Sequence, residues 1–246
     1  MTKVVDVQAL SESIVQVTMR DEAHKNTFSA DIVEGLIEAF ETIRANPNYK
    51  AVILTGYGHY FACGGTQAGL LTFAEGKGQF TDTPVYGLAL DCPIPVISAM
   101  QGHGIGGGFV MGLFADFVVL GRENIYTTNF MKYGFTPGMG ATYIVPKKIG
   151  FSLGHEMLLN AQNFRGEELQ QRGIPFPVVP KSEVMERAYQ IAQGLAEKPR
   201  VSLVTLKDHM VASMRRELPA VVKEEIEMHK KTFHQPEVKE RIKALF

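Results

Sequence analysis

The residues best suited to chemistry in this chain are backbone groups. Gly102, Gly104, Gly106, Gly107 and Gly108 crowd between an apolar, β-branched run at 94–100 and an apolar stretch at 109–115. That pattern predicts a buried strand, a glycine turn and a buried helix. Such a turn can receive an oxygen anion. Glycine admits a ligand where a Cβ would collide, and a helix start points unpaired N–H groups outward at the positive end of its dipole. Tyr60-Phe-Ala-Cys-Gly-Gly-Thr-Gln67 forms a second glycine turn at the end of a strand region.

Two chemistries use this arrangement. Gly102-x-Gly104-x-x-Gly107 satisfies the GxGxxG pattern of dinucleotide-binding folds, where a helix start holds a pyrophosphate. That fingerprint opens the first βαβ unit and is followed by an acid at the end of the next strand. Here the turn lies in mid-chain, and the strand expected at 117–120 ends without one. The other chemistry is an oxyanion hole, in which one N–H of the turn and one from elsewhere hold the oxygen of an activated carbonyl. A turn packed for steric reasons alone is the third reading.

The elements that must position these turns follow from periodicity. Residues 4–10 and 13–19 alternate as two strands joined by a tight turn. Ser29 caps a helix whose apolar positions Ile32, Val33, Leu36, Ile37, Phe40 and Ile43 share one face. Residues 50–55 form a short buried strand, and 68–80 begin as a helix and loosen into Gly76-Lys-Gly78, a rim over a pocket. A short helix at 84–92 leads into the central strand; 117–120 and 125–130 are strand-like; 132–140 is a polar, glycine-marked segment. Helices then dominate, at 141–149, 153–161, 166–172, 183–197, 201–214, 219–233 and 236–245, with one late strand at 174–179. The expected organisation is an α/β core over 1–190 and a helical region over 191–246 that mediates subunit contact.

Composition narrows the function. A net charge of −1 gives no electrostatic case for nucleic acid or an anionic membrane. No apolar run reaches the roughly 20 residues of a bilayer span, and the first residues have no signal-peptide core, so the expected location is the cytoplasm. Two cysteines, Cys63 and Cys92, are too few and too far apart for a disulfide framework or a zinc site. Neither a metal nor a cofactor is expected. Cys63 beside Gly64 has no identifiable base and reads as a small reduced core residue, and His103 reads as a packing residue.

Both glycine turns, in this order, resemble the crotonase (enoyl-CoA hydratase/isomerase) superfamily. Asn26-Thr-Phe-Ser29, Phe61-Ala-Cys-Gly-Gly65-Thr66, the line from Pro95 through Gly108, Asp116 and Pro137-Gly138 carry the likeness. It implies a crotonase-like spiral of ββα turns with a C-terminal helical trimerisation region, whose active site polarises a thioester carbonyl between the amides of Gly65 and Gly107. It also identifies two departures. The two glutamates that hold water in hydratases are replaced by Val110 and Phe130. Without a carboxylate pair, no base activates water and no acid returns its proton.

An oxyanion hole with an apolar wall suits decarboxylation, which needs an electron sink, a proton donor and a cation for the departing carboxylate. The sequence is similar to the decarboxylating crotonase-fold enzymes of polyketide-synthase β-branching cassettes, of the curacin type. The stretches are Gly64-Gly-Thr-Gln67, the run from Met100 to Gly112, the run from Asn129 to Gly138, and Met228-His-Lys-Lys-Thr-Phe233. That resemblance implies decarboxylation of a 3-methylglutaconyl thioester on an acyl carrier protein to a 3-methylcrotonyl-type product. Lys77 then binds the carboxylate and His229 orients it or protonates the product. Some members have a tyrosine where Phe73 stands, and Tyr86 is the nearby substitute; Lys132 and Tyr133 line the pocket or support its loop. A homotrimer is expected. An enoyl-thioester isomerase or hydratase, and a non-catalytic acyl-binding protein, are the alternatives.

Overall fold

The structure, a computed structural model, describes residues 4–82 and 84–246. Strands β1 (Val5–Ala9) and β2 (Ile14–Met19) pair antiparallel, with Val5 opposite Met19. The Ser29 hydroxyl then accepts the Ile32 amide at 3.3 Å and caps α1 (Ala30–Ala45), whose buried Ile32, Leu36, Phe40 and Ile43 lie one turn apart.

From here each turn of the chain gives one strand to each of two sheets. Strands β3 (Ala51–Thr55), β5 (Val96–Met100) and β7 (Phe117–Gly121) enter the first; β4 (Tyr60–Ala62), β6 (His103–Ile105) and β8 (Ile125–Thr127) enter the second. With β9 (Phe164–Arg165) and β10 (Val178–Val179), the orders are β1-β2-β3-β5-β7-β10 and β4-β6-β8-β9. This is the spiral of ββα turns that the sequence resemblance implies. The run from β2 through β10 is parallel, and β3 and β5 are buried along their whole length, as strands covered on both faces must be.

One face of the larger sheet is covered by α8 (Val184–Ala196), which sets Val184, Ala188 and Ala192 against Ile53, Ile97 and Val119. This helix runs across residues 190–191, where the helical region was expected to begin. The other face carries the main core. There α4 (Gly107–Leu113) is buried at every residue. It starts at Gly107 and not at Phe109, so the glycine turn itself supplies the first helical amide.

The sequence pattern differs from the structure in other places too: the late strand expected at 174–179 is confined to Val178–Val179. Strands β6 and β9 are too short for alternation to reveal, and β6 lies inside the glycine turn. The strand expected at 125–130 ends at Thr127, because Asn129–Lys132 coils into a 3-10 helix. The helices expected at 201–214 and 219–233 are one: α9 (Arg200–Thr232) runs through Pro219. An internal proline costs about 3 kcal/mol. Burial of Leu218 and Val222 in the main core, on either side of it, offsets that cost.

Near its start α9 is pinned by Lys207. Its buried ammonium lies 2.8 Å from Asp116 and donates to the carbonyls of Ala89 and Ile94 at 2.9 and 3.0 Å, while Asp116 accepts the Val96 amide at 2.8 Å. Asp116 is thus a structural anchor at the β5 and β7 ends. Removing one partner strands the other charge in the interior. Lys207→Ala is expected to destabilise the fold by about 3–5 kcal/mol, measured as a lowered midpoint in urea.

Candidate active site

Asn26 organises the first glycine turn. It has left-handed backbone geometry, and its side-chain amide donates to the carbonyls of Met19, Tyr60 and Phe61 at 3.1 to 3.2 Å while its oxygen accepts the Asp21 amide at 2.7 Å. The loop after it is stitched to the turn: the Phe28 amide donates to the Gly64 carbonyl at 2.7 Å, and the Cys63 amide to the Asn26 carbonyl at 3.2 Å.

That stitching aims a donor. In a trans peptide the carbonyl and the following N–H point in opposite directions. Because the Gly64 carbonyl faces Phe28, the Gly65 N–H faces away from it. The same logic fixes the second donor: the Gly106 carbonyl accepts the Val110 amide at 3.1 Å along α4, so the Gly107 N–H points out of the helix start. Among the described residues neither amide has a hydrogen-bond acceptor. The turns are in contact, for a Cβ on Gly64 would lie 2.9 Å from the Gly107 nitrogen.

Gly65 and Gly107 open into one cavity of about 360 Å³, with Phe28, Phe73, Phe130 and Phe135 among the residues of its largely apolar wall. A second cavity of about 260 Å³ adjoins it and shares Phe73, Phe80 and Phe233, a partition of phenyl rings. His229 lines the second cavity. Its ring lies edge-on to Phe80 and Phe233, at 5.1 and 4.8 Å between centroids. Its Nε2 donates to the Thr136 carbonyl at 2.8 Å and stands 3.0 Å from where a Gly138 Cβ would lie, against the wall of the first cavity. Burial holds the imidazole below its ordinary pKa, against the opposing pull of the Thr136 and Pro137 carbonyls.

The other sequence candidates divide. Phe73 and Phe130 line the first cavity. Val110 is fully buried in α4, one turn in from the Gly107 amide. Tyr86 stands behind Phe80, 6.3 Å between ring centroids, and faces a separate surface pocket. Lys77 lines neither cavity: its side chain is 72% exposed and pairs with Glu75 at 3.2 Å. The glycines flanking it, Gly76 and Gly78, do line the second cavity.

Cys63 lines the first cavity, but burial pushes its thiol up to about 12, which leaves no thiolate for nucleophilic attack at neutral pH. His103 accepts the Ile125 amide at 2.9 Å and packs between strands. Tyr133, open between two roles in the sequence, lines the cavity, stacked on Phe135 with centroids 5.9 Å apart. No described residue hydrogen-bonds its hydroxyl. Of the two phenols, Tyr133 lines the cavity that holds Gly65 and Gly107, and Tyr86 does not.

The sequence profile of the enoyl-CoA hydratase/isomerase family matches residues 9–245. This chain belongs to that family. Within it, the chain is 63% identical over 243 residues to the bacillaene synthase decarboxylase PksI of Bacillus subtilis (strain 168), covering 99% of this chain and 98% of that protein. It is 31% identical over 200 residues to the carnitinyl-CoA dehydratase of Salmonella typhi, covering 79% and 76%. Among solved structures it superposes with a TM-score of 0.98 on one from a dehydratase/decarboxylase enzyme couple involved in polyketide β-branching, at 63% identity over 99% of this chain and 96% of that one. The ECH2 decarboxylase domain of CurF from Lyngbya majuscula gives 0.95 at 47% identity, covering 99% of both chains.

Proposed function

We propose that this family member decarboxylates a 3-methylglutaconyl thioester carried on an acyl carrier protein and releases a 3-methylcrotonyl-type thioester. The observation that carries the reading is the pair of aimed amides at Gly65 and Gly107, without an acceptor among the described residues, in a cavity where Phe130 supplies hydrocarbon instead of a carboxylate. The high identity to decarboxylases of this family supports it.

As the C–C bond to the carboxylate breaks, its electron pair enters the conjugated system and charge accumulates on the thioester oxygen. Pre-aimed donors at that oxygen contribute roughly 3 to 4 kcal/mol each in comparable sites. Carbon dioxide leaves, and one proton is taken up at carbon to complete the product. His229, in the adjoining cavity with its Nε2–H on the Thr136 carbonyl, serves that proton when the Phe73, Phe80 and Phe233 rings part to join the two cavities. A neutral imidazole has one N–H and one free nitrogen, so it can release a proton at one as it takes one at the other. The surrounding phenyl rings exclude bulk water, and with no carboxylate among the described residues that line the cavity to activate a trapped molecule, the double bond is not hydrated.

Lys77 receives the substrate carboxylate when its loop turns inward. Gly76 and Gly78, both at positive φ, give the loop that freedom, and Glu75 holds the ammonium outside meanwhile. Replacing a charged hydrogen-bond partner costs about 1.5–3 kcal/mol. Lys77→Ala is therefore expected to lower kcat/KM for the carboxylated substrate by about 10- to 100-fold. Binding of the decarboxylated thioester should be unchanged, as measured by calorimetry.

The carrier meets the cavity mouth beside Lys25, an exposed cation that suits an acidic partner. The self-association surface is apolar and lies on the helical region: Val201, Leu206 and Met210 on α9 are 77, 58 and 69% exposed. Light scattering is expected to give three times the chain mass of 27.2 kDa. The activity itself is tested by intact-mass spectrometry of carrier-bound 3-methylglutaconyl thioester. Loss of carbon dioxide supports the reading, and an unchanged or hydrated acyl chain refutes it. Turnover of the same acyl group on coenzyme A at equal rate would remove the carrier protein from it.

A further inference from the structure

Glu225 is a fully buried carboxylate that the chemistry above does not use. It accepts the Gly140 amide at 2.7 Å, the Thr142 amide at 2.9 Å and the Thr142 hydroxyl at 2.6 Å. These donors belong to the start of α5 (Ala141–Ile149), where a negative charge is favoured. Burial pushes the carboxyl up while the same donors pull it down.

One turn further along α9 stands His229, and three residues beyond it Thr232, so that Glu225, His229 and Thr232 share a face. All three grip one segment. His229 donates to the Thr136 carbonyl at 2.8 Å, and the Thr232 hydroxyl accepts the Thr136 amide at 3.3 Å. Glu225 holds the segment's far end at Gly140. Between these grips lie Gly138, packed on the His229 ring, and Met139, in left-handed geometry with its sulfur 2.6 Å from where a Gly107 Cβ would lie. Met139 is the roof over the second oxyanion donor.

We infer that Glu225 is a positioning residue: by clamping the 136–142 segment to α9 it fixes the His229 imidazole and the Met139 roof above the Gly107 amide. The inference rests on the reading that His229 serves the decarboxylation. Misplacing catalytic groups by about an ångström costs up to about a hundredfold in rate.

The test is Glu225→Gln, which keeps the shape but turns an N–H toward the Gly140 donor. The expected result is a fall in kcat of about 10- to 100-fold with KM within about twofold, at a temperature where the variant is folded. Ring-nitrogen NMR shifts should show His229 losing its preference for the Nε2–H tautomer, a readout that a purely structural role would not move. Thr142→Val removes only the 2.6 Å bond and should shift both readouts less, and non-additively with Glu225→Gln. If Glu225→Gln does not fold, Thr142→Val carries the test alone. Val222→Ala, which loosens α9 one turn earlier, should lower stability but not kcat. Wild-type kcat and tautomer in the folded Glu225→Gln protein, or in Thr142→Val when that stands alone, overturn the inference. So does a loss of kcat in Val222→Ala matching that in Glu225→Gln. The tautomer is read without turnover, so a wild-type protein that fails to decarboxylate refutes the functional reading separately.

Discussion

Replacing Gly64 with alanine is expected to lower kcat/KM by about 10²–10³-fold, the loss found when one oxyanion donor is removed. Gly64 has a φ of +70°, where a side chain costs about 1–2 kcal/mol. The added methyl would stand 2.9 Å from the Gly107 nitrogen and 3.3 Å from the Ile105 carbonyl, both backbone atoms that cannot step aside cheaply. The turn must shift, and with it the Gly64 carbonyl that aims the Gly65 amide. Steady-state kinetics on the carrier-bound substrate and a thermal scan separate the two consequences: a small loss of stability beside a large loss of rate.

Replacing His229 with alanine is expected to lower kcat by about 10²–10⁴-fold, the range of a positioned proton donor. His229→Gln keeps a donor for the Thr136 carbonyl but cannot relay a proton. It should recover much of the stability and little of the rate. The pH dependence has a defined sign. Burial sets the folded imidazole below the ordinary value of 6.5, so the unfolded chain takes up a proton first as pH falls. The stability contributed by the buried neutral ring is complete above 6.5 and is lost as pH falls through the lower folded value. In the wild-type enzyme the inflection of kcat/KM that reports the His229 ring should accordingly lie below 6.5, and it should vanish from the residual activity of the glutamine variant.

Particular residues show what the sequence made legible. The glycine turns, the Ser29 cap and the strand at 96–100 rest on short-range rules, and the structure has each. The helix expected from 109 starts two residues earlier, at Gly107, because glycine weakens the helical pattern where an anion site needs it. Pro219 divides the helical pattern of α9, since a proline's cost is local whereas the core contacts that offset it come from distant segments. Glu225 lies in a run of charged residues that reads as a solvated face, and nothing nearby in sequence announces donors 83 to 85 residues away. Tyr133 and Tyr86 are separable only by the fold, which sets one in the wall of the cavity that holds the glycine turns and the other behind Phe80.

The grip of two amides on one thioester oxygen is tested most directly by isotope-edited infrared spectroscopy of an inert analogue, the saturated 3-methylglutaryl thioester labelled at the carbonyl carbon. On binding the wild-type enzyme its carbonyl band should move to lower frequency, and with Gly64→Ala it should return toward the position it has in water. A bound carbonyl band that does not move in the wild-type protein would contradict the account.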